Sequence, residues 1–455
     1  MIIQKFGGTS VGTLERVKDV ANIVSATAGD KVVVLSAMSG VTNALINCGQ
    51  EAAGGGDFLT SYGQIKEKYF SLLPGLEGSY KALAEERLNV LFAELRSVLN
   101  AAAALKFIDF RVNDLVVSFG ECLMCAVFPF FLKSLGQEAH ETDARQLIFT
   151  DNDFGKARVN FKESNLRIQE WRKSIKGISV VTGFIASTKD GSTTTLSRGG
   201  SDYTATIIGG ALGAERVEIW TDVDGAMTAD PRKVKSARVL QRLTYAEAAE
   251  MAYFGAKVIH PLTLLPVRER HIPVIIKNTF HPDAAGTIIN DSTDNSGSFI
   301  KSVALREGLS LINVEGLGLQ GLVGFAGRLF MALGRAGVNV VMISQASSEQ
   351  SVCIAVNDNE TVKAVETIDS EFVREREEHL LEVVTENDIC ILAVIGDRMA
   401  GIPGVSGKLF AALGQAGINV RAIAQGSSER NISLVISKAD CAEAIKVVHE
   451  AFFKI

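Results

Sequence analysis

The feature that most constrains this chain is a repeated alternation of apolar strands, glycine-containing turns and helices over about its first 290 residues. Residues 32–35 are continuously apolar, which predicts a strand buried on both faces, as in a parallel sheet flanked by helices. Such alternation is typical of an α/β domain, where ligands bind at the carboxyl ends of the strands. Further strands are predicted at 178–181, 216–220, 272–276 and 286–289, and residues 58–105 are predicted to form an outer helical layer.

Length and charge narrow the class of protein. A chain of 455 residues that is 47% hydrophobic predicts two or three domains. With 46 basic and 52 acidic residues and no basic cluster, no nucleic-acid or anionic-membrane partner is expected. The densest apolar run, 122–132, is too short to span a membrane, and no signal peptide pattern opens the chain. A cytoplasmic location is therefore expected.

The six cysteines are scattered through the chain, which favours reduced thiols. Cys122 and Cys125 form a C-x-x-C motif, but it lies in an apolar helical run without a second pair at zinc spacing. Buried packing is favoured over metal or redox chemistry, and no residue is assigned as a metal ligand.

The first ten residues have the outline of a phosphate site. A strand at Ile2 and Ile3 is followed by Lys5, by the pair Gly7 and Gly8, and by helical spacing from Leu14. Two glycines let main-chain amides approach an anion, while a helix N-terminus and the lysine add positive charge. The alternative is an ordinary strand-to-helix turn with a solvent-reaching lysine.

Two later segments carry charged residues beside glycines. The segment 118–121 is predicted to begin an apolar helix that ends near Leu135, where Glu121 serves either as a partner of the helix macrodipole or as a ligand. Arg198 and Asp202 flank a glycine turn before a helix at 203–212. They are predicted to share a cleft that binds a carboxylate or phosphate, the alternative being a structural ion pair.

An internal repeat follows a polar stretch at 290–298, which we take as the domain boundary. Residues 327–349 match 407–429, with Phe330 and Phe410 lying 80 positions apart. Each copy predicts a helix, an Ala-Gly-(Val/Ile)-Asn-Val segment, a strand and a Ser-Ser-Glu turn. The duplication suggests one paired regulatory unit.

Together these motifs resemble the aspartate kinases over the whole chain. The resemblance rests on Lys-Phe-Gly-Gly-Thr-Ser at 5–10, Arg-Gly-Gly-Ser-Asp at 198–202, Trp-Thr-Asp-Val-Asp-Gly at 220–225 and Phe-Gly-Ala-Lys-Val at 254–258. The segments 343–345 and 423–425 most resemble the kinase half of the bifunctional aspartokinase–homoserine dehydrogenases. The implied fold is a three-layer α/β amino-acid kinase domain with a mainly parallel central sheet over 1–290. Two α+β, ferredoxin-like ACT modules follow in 299–455, at about 307–385 and 386–455, and the strand near 301–306 is a candidate member of the second module.

The implied activity is ATP-dependent phosphorylation of the side-chain carboxylate of L-aspartate to 4-phospho-L-aspartate, with Mg²⁺. This reaction is the first step toward lysine, threonine and methionine. A carboxylate with a pKa near 3.9 is already an ionised nucleophile, so positioning and charge neutralisation suffice. The alternatives are a kinase for another carboxylate, such as glutamate or N-acetylglutamate, and a non-catalytic ACT amino-acid sensor.

The resemblance also implies residue roles. Lys5, with the Gly7 and Gly8 amides, is expected to hold the β- and γ-phosphates, and Asp202 to orient Lys5. Arg198 is expected to bind the substrate α-carboxylate and Glu121 its α-ammonium. The rest of the substrate pocket is assigned to Ser36, Thr42, Phe184, Gly199, Gly200 and Ser201. The rest of the nucleotide site is assigned to Ser10, Thr221, Asp222, Met227, Arg232, Lys257 and Val258, where Met227 replaces a tyrosine of many relatives.

For the ACT pair the resemblance implies feedback inhibition by an end-product amino acid, with threonine placed ahead of lysine. The candidate effector residues recur at the same offset: Asn339, Gln345, Asn419 and Gln425. The asparagines have an alternative role as helix C-terminal turn residues. A homodimer through the ACT modules is expected, with a tetramer as the alternative.

Overall fold

The structure is a computed structural model that describes residues 1–197, 199–255, 259–292, 299–316, 324–345 and 351–453. The chain forms two compact units. The first contains Met1–Ala226, Val239–Tyr245 and Val258–Ser292. The second contains Met227–Arg238, Ala246–Lys257 and Thr293–Ile455, so that two segments numbered below 290 belong with the internal repeat.

The elements up to residue 290 alternate as the sequence predicts. In chain order they are β1 (Ile2–Phe6), α1 (Leu14–Ala26), β2 (Lys31–Leu35), α2 (Val41–Gly54), α3 (Phe58–Phe70), α4 (Gly78–Leu105), α5 (Phe110–Ser134), β3 (Ala139–Thr142), α6 (Phe161–Ser174), β4 (Ile178–Thr182), β5 (Ile185–Ser187), β6 (Thr193–Thr195), α7 (Gly200–Leu212), β7 (Arg216–Thr221), β8 (Arg242–Thr244), α8 (Tyr245–Tyr253), α9 (Pro261–Arg268), β9 (Val274–Asn278) and β10 (Thr287–Asn290). The predicted helical region at 58–105 and the predicted strands are confirmed, with shifts of a few residues at their ends.

The central sheet of the first unit has the described strand order β3-β4-β2-β1-β7-β9-β10-β8. Every neighbouring pair is parallel except β9 and β10, which confirms the mainly parallel sheet. All residues of β1, β2 and β4 are buried, as their continuous apolar runs predict.

The register places the strand ends at one edge. Phe6 pairs with Leu35 and with Trp220, and Leu35 pairs with Thr182. Because these strands are parallel, the loops that follow them start side by side. This edge is where a ligand of an open α/β sheet is expected to bind.

Helix α5 departs from the sequence prediction. It begins at Phe110 after the N-cap Asp109 and runs for 25 residues, so Glu121 lies in its interior and the predicted helix start near 118–121 is wrong. Gly120 does not form a turn there. A Cβ at this position would lie 2.7 Å from the Cβ of Ala37, so the glycine serves close packing inside the helix. The macrodipole explanation for Glu121 is therefore also wrong.

Within the described part of the chain, two helices, α4 and α5, are long and apolar enough to cross a membrane by length and composition alone. The most apolar stretch of α5 is 89% buried inside the protein, as expected of a core helix. Cys122 and Cys125 are free and buried within it. Their predicted packing role is confirmed.

The second unit carries the repeat. Its further elements are β11 (Ser302–Glu315), α10 (Phe325–Arg335), β12 (Val340–Gln345), β13 (Ser351–Asn357), α11 (Thr361–Glu371), α12 (Val373–Glu377), β14 (Glu382–Ile395), α13 (Val405–Gln415), β15 (Ala422–Ala424), β16 (Asn431–Ser437) and α14 (Cys441–Phe453). The described strands form one antiparallel sheet in the order β12-β13-β11-β14-β16-β15. It has the α+β character expected of ACT modules.

Strand β11 is shared between the two halves of this sheet. Its first part, which includes Val303, packs in one core with Leu409 and Leu434. Its second part, which includes Ile312, packs in the other core with Leu329. The long pairing of β11 with β14 therefore joins the two copies of the repeat into one unit.

The structure links two of the six cysteines. Cys390 on β14 and Cys441 on α14 form a disulfide with their Cα atoms 6.9 Å apart, so the expectation of reduced thiols is wrong for this pair. The two residues are 51 positions apart in sequence, and packing of α14 on β14 brings them together. The other four cysteines are free.

Candidate active site

A cavity of about 320 Å³ opens at the carboxyl edge of the central sheet in the first unit. It gathers most of the residues that the sequence assigns to substrate binding and catalysis. Its lining consists of Lys5, Gly8, Ser36, Ala37, Met38, Ser39, Gly40, Thr42, Glu121, Phe184, Ser197, Gly199, Gly200, Ser201 and Asp202. Five lining residues were not assigned from the sequence: Ala37, Met38, Ser39, Gly40 and Ser197. The polar loop after β2 and the residue before Arg198 were the available signals.

Lys5 supplies the positive charge of the cavity. It stands on the central strand β1, and its Nζ lies 2.5 Å from Oδ1 of Asp202 in the first turn of α7. Their side chains are only 10% and 15% exposed, so solvent screens this pair weakly. The ion pair fixes where the ammonium group lies.

The glycine pair after β1 has two different roles. The Gly7 amide donates to the carbonyl of Trp220 at 3.1 Å, and its contact with a phosphate stays a prediction. No described residue accepts a hydrogen bond from the Gly8 amide. A Cβ on Gly8 would lie 2.7 Å from the carbonyl oxygen of Ala37, and the Gly8 carbonyl accepts from Ser39 N at 3.0 Å. Gly8 therefore lets the loops after β1 and β2 touch.

Glu121 is a buried carboxyl group with one satisfied oxygen. Its side chain reaches the cavity from α5, and the residue is 3% exposed. Oε1 accepts from the amide of Ala37 at 3.1 Å, whereas Oε2 has no partner among the described residues. Burial raises the pKa of Glu121 to about 8, although the Ala37 hydrogen bond and the charge of Lys5 oppose this. A cation bound in the cavity would satisfy Oε2 and restore the charge.

The start of α7 closes the cavity on another side. Gly199, with φ of 76°, is its N-cap and places no side chain over the first amides. Phe184 has a φ of 67°, a backbone conformation that is costly for a bulky residue. Two hydrogen bonds hold it there: its amide donates to Thr204 Oγ1, and its carbonyl accepts from the amide of Leu196. The uncapped N-terminus of this 13-residue helix can receive an anion.

Several residues assigned to the nucleotide lie outside this cavity. Ser10 is fully buried, and its hydroxyl lies 2.7 Å from that of Thr279. Thr221 ends β7 and bonds to the exposed Asp222. Met227 and Arg232 belong to the second unit, where Arg232 pairs with Asp230 at 2.7 Å. Three predicted site residues lie outside the described residues: Arg198, Lys257 and Val258.

One polar group near β7 was missed in the sequence. Asp224 accepts from Asn278 Nδ2 at 2.7 Å and lies 2.9 Å from Nδ1 of His281. The hydrogen bonds from His281 and Asn278 lower the pKa of Asp224. Asp224 belongs to the Trp-Thr-Asp-Val-Asp-Gly motif, which was the available signal, but its partners come from β9 and the turn after it.

The candidate effector residues lie on equivalent positions of the second unit. Gln345 ends β12 and Gln425 follows β15, and both are exposed. These strands stand at opposite ends of the sheet order, yet Ser344 Oγ donates to the carbonyl of Ile423 at 2.8 Å. At the ends of α10 and α13 the residues with positive φ are glycines, so the turn role considered for Asn339 and Asn419 falls to Gly337 and Gly417.

The chain matches two known protein families. Residues 1–278 match the model of the amino acid kinase family, and 312–372 and 392–452 match an ACT domain. The chain is 40% identical to the maize (Zea mays) protein named bifunctional aspartokinase/homoserine dehydrogenase 2, over 99% of this chain and 50% of that protein. It thus spans about half the length of the bifunctional relatives it matches.

Two further relatives are similar over most of their length. Aspartokinase 3 of Arabidopsis thaliana is 35% identical over 99% of this chain and 81% of that protein. Aspartokinase III of E. coli, solved with aspartate and ADP in its R-state, superimposes with a TM-score of 0.85 at 31% identity, covering all of both chains. The same enzyme solved with lysine and aspartate in its T-state gives a TM-score of 0.79 at 32% identity, again covering both chains fully.

Proposed function

The chain belongs to the aspartokinase family, within the larger amino acid kinase family, and we propose on this basis that it transfers the γ-phosphoryl group of ATP to the side-chain carboxylate of L-aspartate. The observation that carries the proposal is the cavity where Lys5, Glu121 and the start of α7 meet. It offers a positive charge, an unsatisfied carboxyl oxygen and uncapped amides, which suit a phosphate beside an amino acid.

The chemistry needs positioning more than proton transfer. The attacking carboxylate is ionised at neutral pH, so no residue has to remove a proton from it. Lys5, held by Asp202, places a positive charge where negative charge passes from ATP to aspartate. The amide of Gly8 adds a further donor for the phosphoryl group.

Recognition of the amino acid requires groups for its two other charges. Glu121 Oε2 is a buried acceptor in the cavity with no hydrogen-bond partner among the described residues, and it suits the α-ammonium. Arg198, two residues before the α7 N-terminus, suits the α-carboxylate because guanidinium binds carboxylate in a bidentate manner. Ser36, Thr42 and Phe184 line the remaining wall.

ATP is proposed to enter with Mg²⁺. The described residues contain no cluster of three or more His, Cys, Asp or Glu side chains that could hold a metal by themselves. This fits a magnesium ion bound mainly by substrate phosphates with one or two carboxylates. Asp202 is the cavity carboxylate that suits such a contact, and the ion would supply charge neutralisation. Thr221, Asp222, Met227, Arg232, Lys257 and Val258 remain the proposed nucleotide contacts.

The test is ADP release measured with purified protein, MgATP and one acceptor at a time. L-aspartate is expected to support turnover, and hydroxylamine should trap the acyl phosphate as a hydroxamate. Turnover with glutamate or N-acetylglutamate but not with aspartate would favour a different carboxylate kinase. No turnover with any acceptor, together with amino-acid binding, would favour a sensor.

We propose that the ACT pair mediates feedback inhibition. The resemblance to the bifunctional aspartokinase–homoserine dehydrogenases implies threonine, whereas the E. coli relative solved with lysine supports lysine. Adding each amino acid to the same assay decides between them. Ile343 and Ile423 are 47% and 46% exposed on the outer strands β12 and β15, which supports a homodimer through this face. A cytoplasmic location is part of the same proposal.

A further inference from the structure

Asp114 is a buried carboxyl group that the mechanism above does not use. It lies in the second turn of α5 and is 1% exposed. Glu121 follows seven residues later on the same helix, which is close to two full turns. Both side chains therefore project from the same face of α5.

Three hydrogen bonds end on this carboxyl group. Oδ2 accepts from the amide of Gly155 at 2.9 Å and from the amide of Thr195 at 3.2 Å. Oδ1 accepts from the hydroxyl of Thr195 at 2.7 Å. No described Lys, Arg or His forms an ion pair with Asp114. Burial raises the pKa of Asp114, while these three hydrogen bonds lower it. Burying a carboxyl group costs free energy unless it is hydrogen-bonded. These three bonds therefore hold Gly155 and Thr195 close to Asp114.

Thr195 is the last residue of β6, and the chain passes from it directly into the cavity wall. The next residue, Leu196, is fully buried, and its amide bonds to the carbonyl of Phe184 at 2.7 Å. Ser197 and Gly199 then line the cavity, ahead of Asp202. Asp114 thus ties the strand that leads into this wall to the helix that carries Glu121.

We propose that Asp114 is a positioning residue that fixes the spacing between Glu121 on α5 and Ser197, which lines the cavity two residues after Thr195. These are the two sides of the aspartate pocket, so the inference rests on the proposed function. Lys5, Gly8 and Asp202, which are proposed to meet the phosphates and Mg²⁺, are not among the residues that Asp114 contacts. Its loss should therefore weaken aspartate binding far more than ATP binding.

The experiment compares two substitutions at this position by steady-state kinetics. Asp114→Ala removes all three bonds, and we expect the KM for aspartate to rise about ten-fold or more while the KM for ATP stays within about two-fold. Asp114→Asn keeps an oxygen for the two amides and can donate to the Thr195 hydroxyl. It is expected to restore most of the affinity for aspartate.

Hydrogen exchange gives a readout that does not depend on activity. Amides in 193–202 should exchange faster in Asp114→Ala and close to the wild-type rate in Asp114→Asn. The matched control is Asp109→Ala, which removes the exposed N-cap carboxylate of the same helix and its 2.8 Å bond from Val112 N. That control should lower the melting temperature. It should change neither KM selectively, and exchange at 193–202 should stay at the wild-type rate.

The proposal is overturned if Asp114→Ala leaves the KM for aspartate within two-fold, raises both KM values equally, or leaves exchange at 193–202 unchanged. It is also overturned if Asp114→Asn behaves like Asp114→Ala. If Asp114→Ala does not fold, Thr195→Val removes one hydroxyl and is judged by the same criteria. If the wild type releases no ADP with aspartate, the proposed function fails, and the exchange data alone decide the positioning role.

Discussion

At the scale of single residues, the cavity combines a lysine in an ion pair with a carboxyl group of which one oxygen has no hydrogen-bond partner among the described residues. Lys5 is paired with Asp202, whereas Glu121 has an unsatisfied buried oxygen. In native proteins buried polar atoms are nearly always hydrogen-bonded, so an orphaned oxygen in a cavity points to a ligand. The two residues therefore carry different predictions.

Lys5→Ala is expected to reduce aspartate-dependent ADP release by about 100-fold or more, since it removes the charge that meets the migrating phosphoryl group. Effector binding, measured by calorimetry, should remain nearly unchanged because Lys5 lies in the first unit. Lys18→Ala on α1 is the control, with wild-type turnover expected. Retained turnover in Lys5→Ala would show that the phosphate site lies elsewhere.

From the raised pKa of Glu121 we expect aspartate binding to depend on pH. With a pKa of about 8 in the empty cavity, the carboxyl group is mainly protonated at pH 7, and binding of an ammonium group requires its ionised form. Aspartate affinity should therefore rise between pH 6 and 9, with release of close to one proton on binding at pH 7. Calorimetry in buffers of different ionisation enthalpy measures this release, and Glu121→Gln should abolish it. Equal proton release by the variant would exclude Glu121.

The same group affects the stability of the empty protein. The folded pKa of Glu121, about 8, lies above its usual value of 4.5, so the folded state binds more protons than the unfolded state between pH 4.5 and 8. The contribution of Glu121 is thus present at low pH and is lost as pH rises from about 4.5 toward 8. Glu121→Gln should lessen this fall in the melting temperature.

At the scale of elements, the loops after β1 and β2 depend on one close contact. The two strands are parallel neighbours, and Gly8 lies where a Cβ would be 2.7 Å from the Ala37 carbonyl and 3.2 Å from Ser39 N. Both neighbours are backbone atoms, which cannot move without moving the loop. The contact thus sets the shape of the cavity floor.

Gly8→Ala is expected to lower the free energy of unfolding by about 1–3 kcal/mol through this clash and to abolish turnover. Gly7→Ala is the matched stability control, because its Cβ would meet only ordinary contacts at 3.5 Å and 3.6 Å. Denaturant unfolding of the two variants gives the comparison. Equal stability of both would mean that the loops separate at little cost.

At the scale of the whole molecule, the chain combines a unit that contains the cavity with a unit built on the repeat. The second unit also contains Met227–Arg238 and Ala246–Lys257. There Tyr253 donates its hydroxyl to the carbonyl of Val341 on β12 at 2.6 Å, and the amide of Val303 bonds to the carbonyl of Thr228 at 2.8 Å. The segments 227–238 and 246–257, which contain residues proposed as nucleotide contacts, are thus packed on the internal repeat.

Gln425→Ala is expected to relieve feedback inhibition by several-fold in the inhibitory concentration while the uninhibited rate stays the same. The side chain is exposed after β15, in the second unit, and truncation there leaves the cavity untouched. Gln415→Ala, at the exposed end of α13, is the control and should inhibit like the wild type. An unchanged inhibition curve for Gln425→Ala would place the effector elsewhere.

The sequence alone determined the order of elements, the mainly parallel sheet and the residues that meet at its edge. Local periodicity encodes strands and helices, and the carboxyl ends of parallel strands must lie together, so Lys5, the loop after β2 and the start of α7 were predictable neighbours. Only the tertiary structure decided that Glu121 lies inside a helix, that the Gly7 amide donates to the Trp220 carbonyl, and that Thr195 is hydrogen-bonded to Asp114. Those facts depend on contacts between residues far apart in the chain, which local spacing does not record. The same reason explains why the Cys390–Cys441 pair and the second-unit placement of 227–238 were not foreseen.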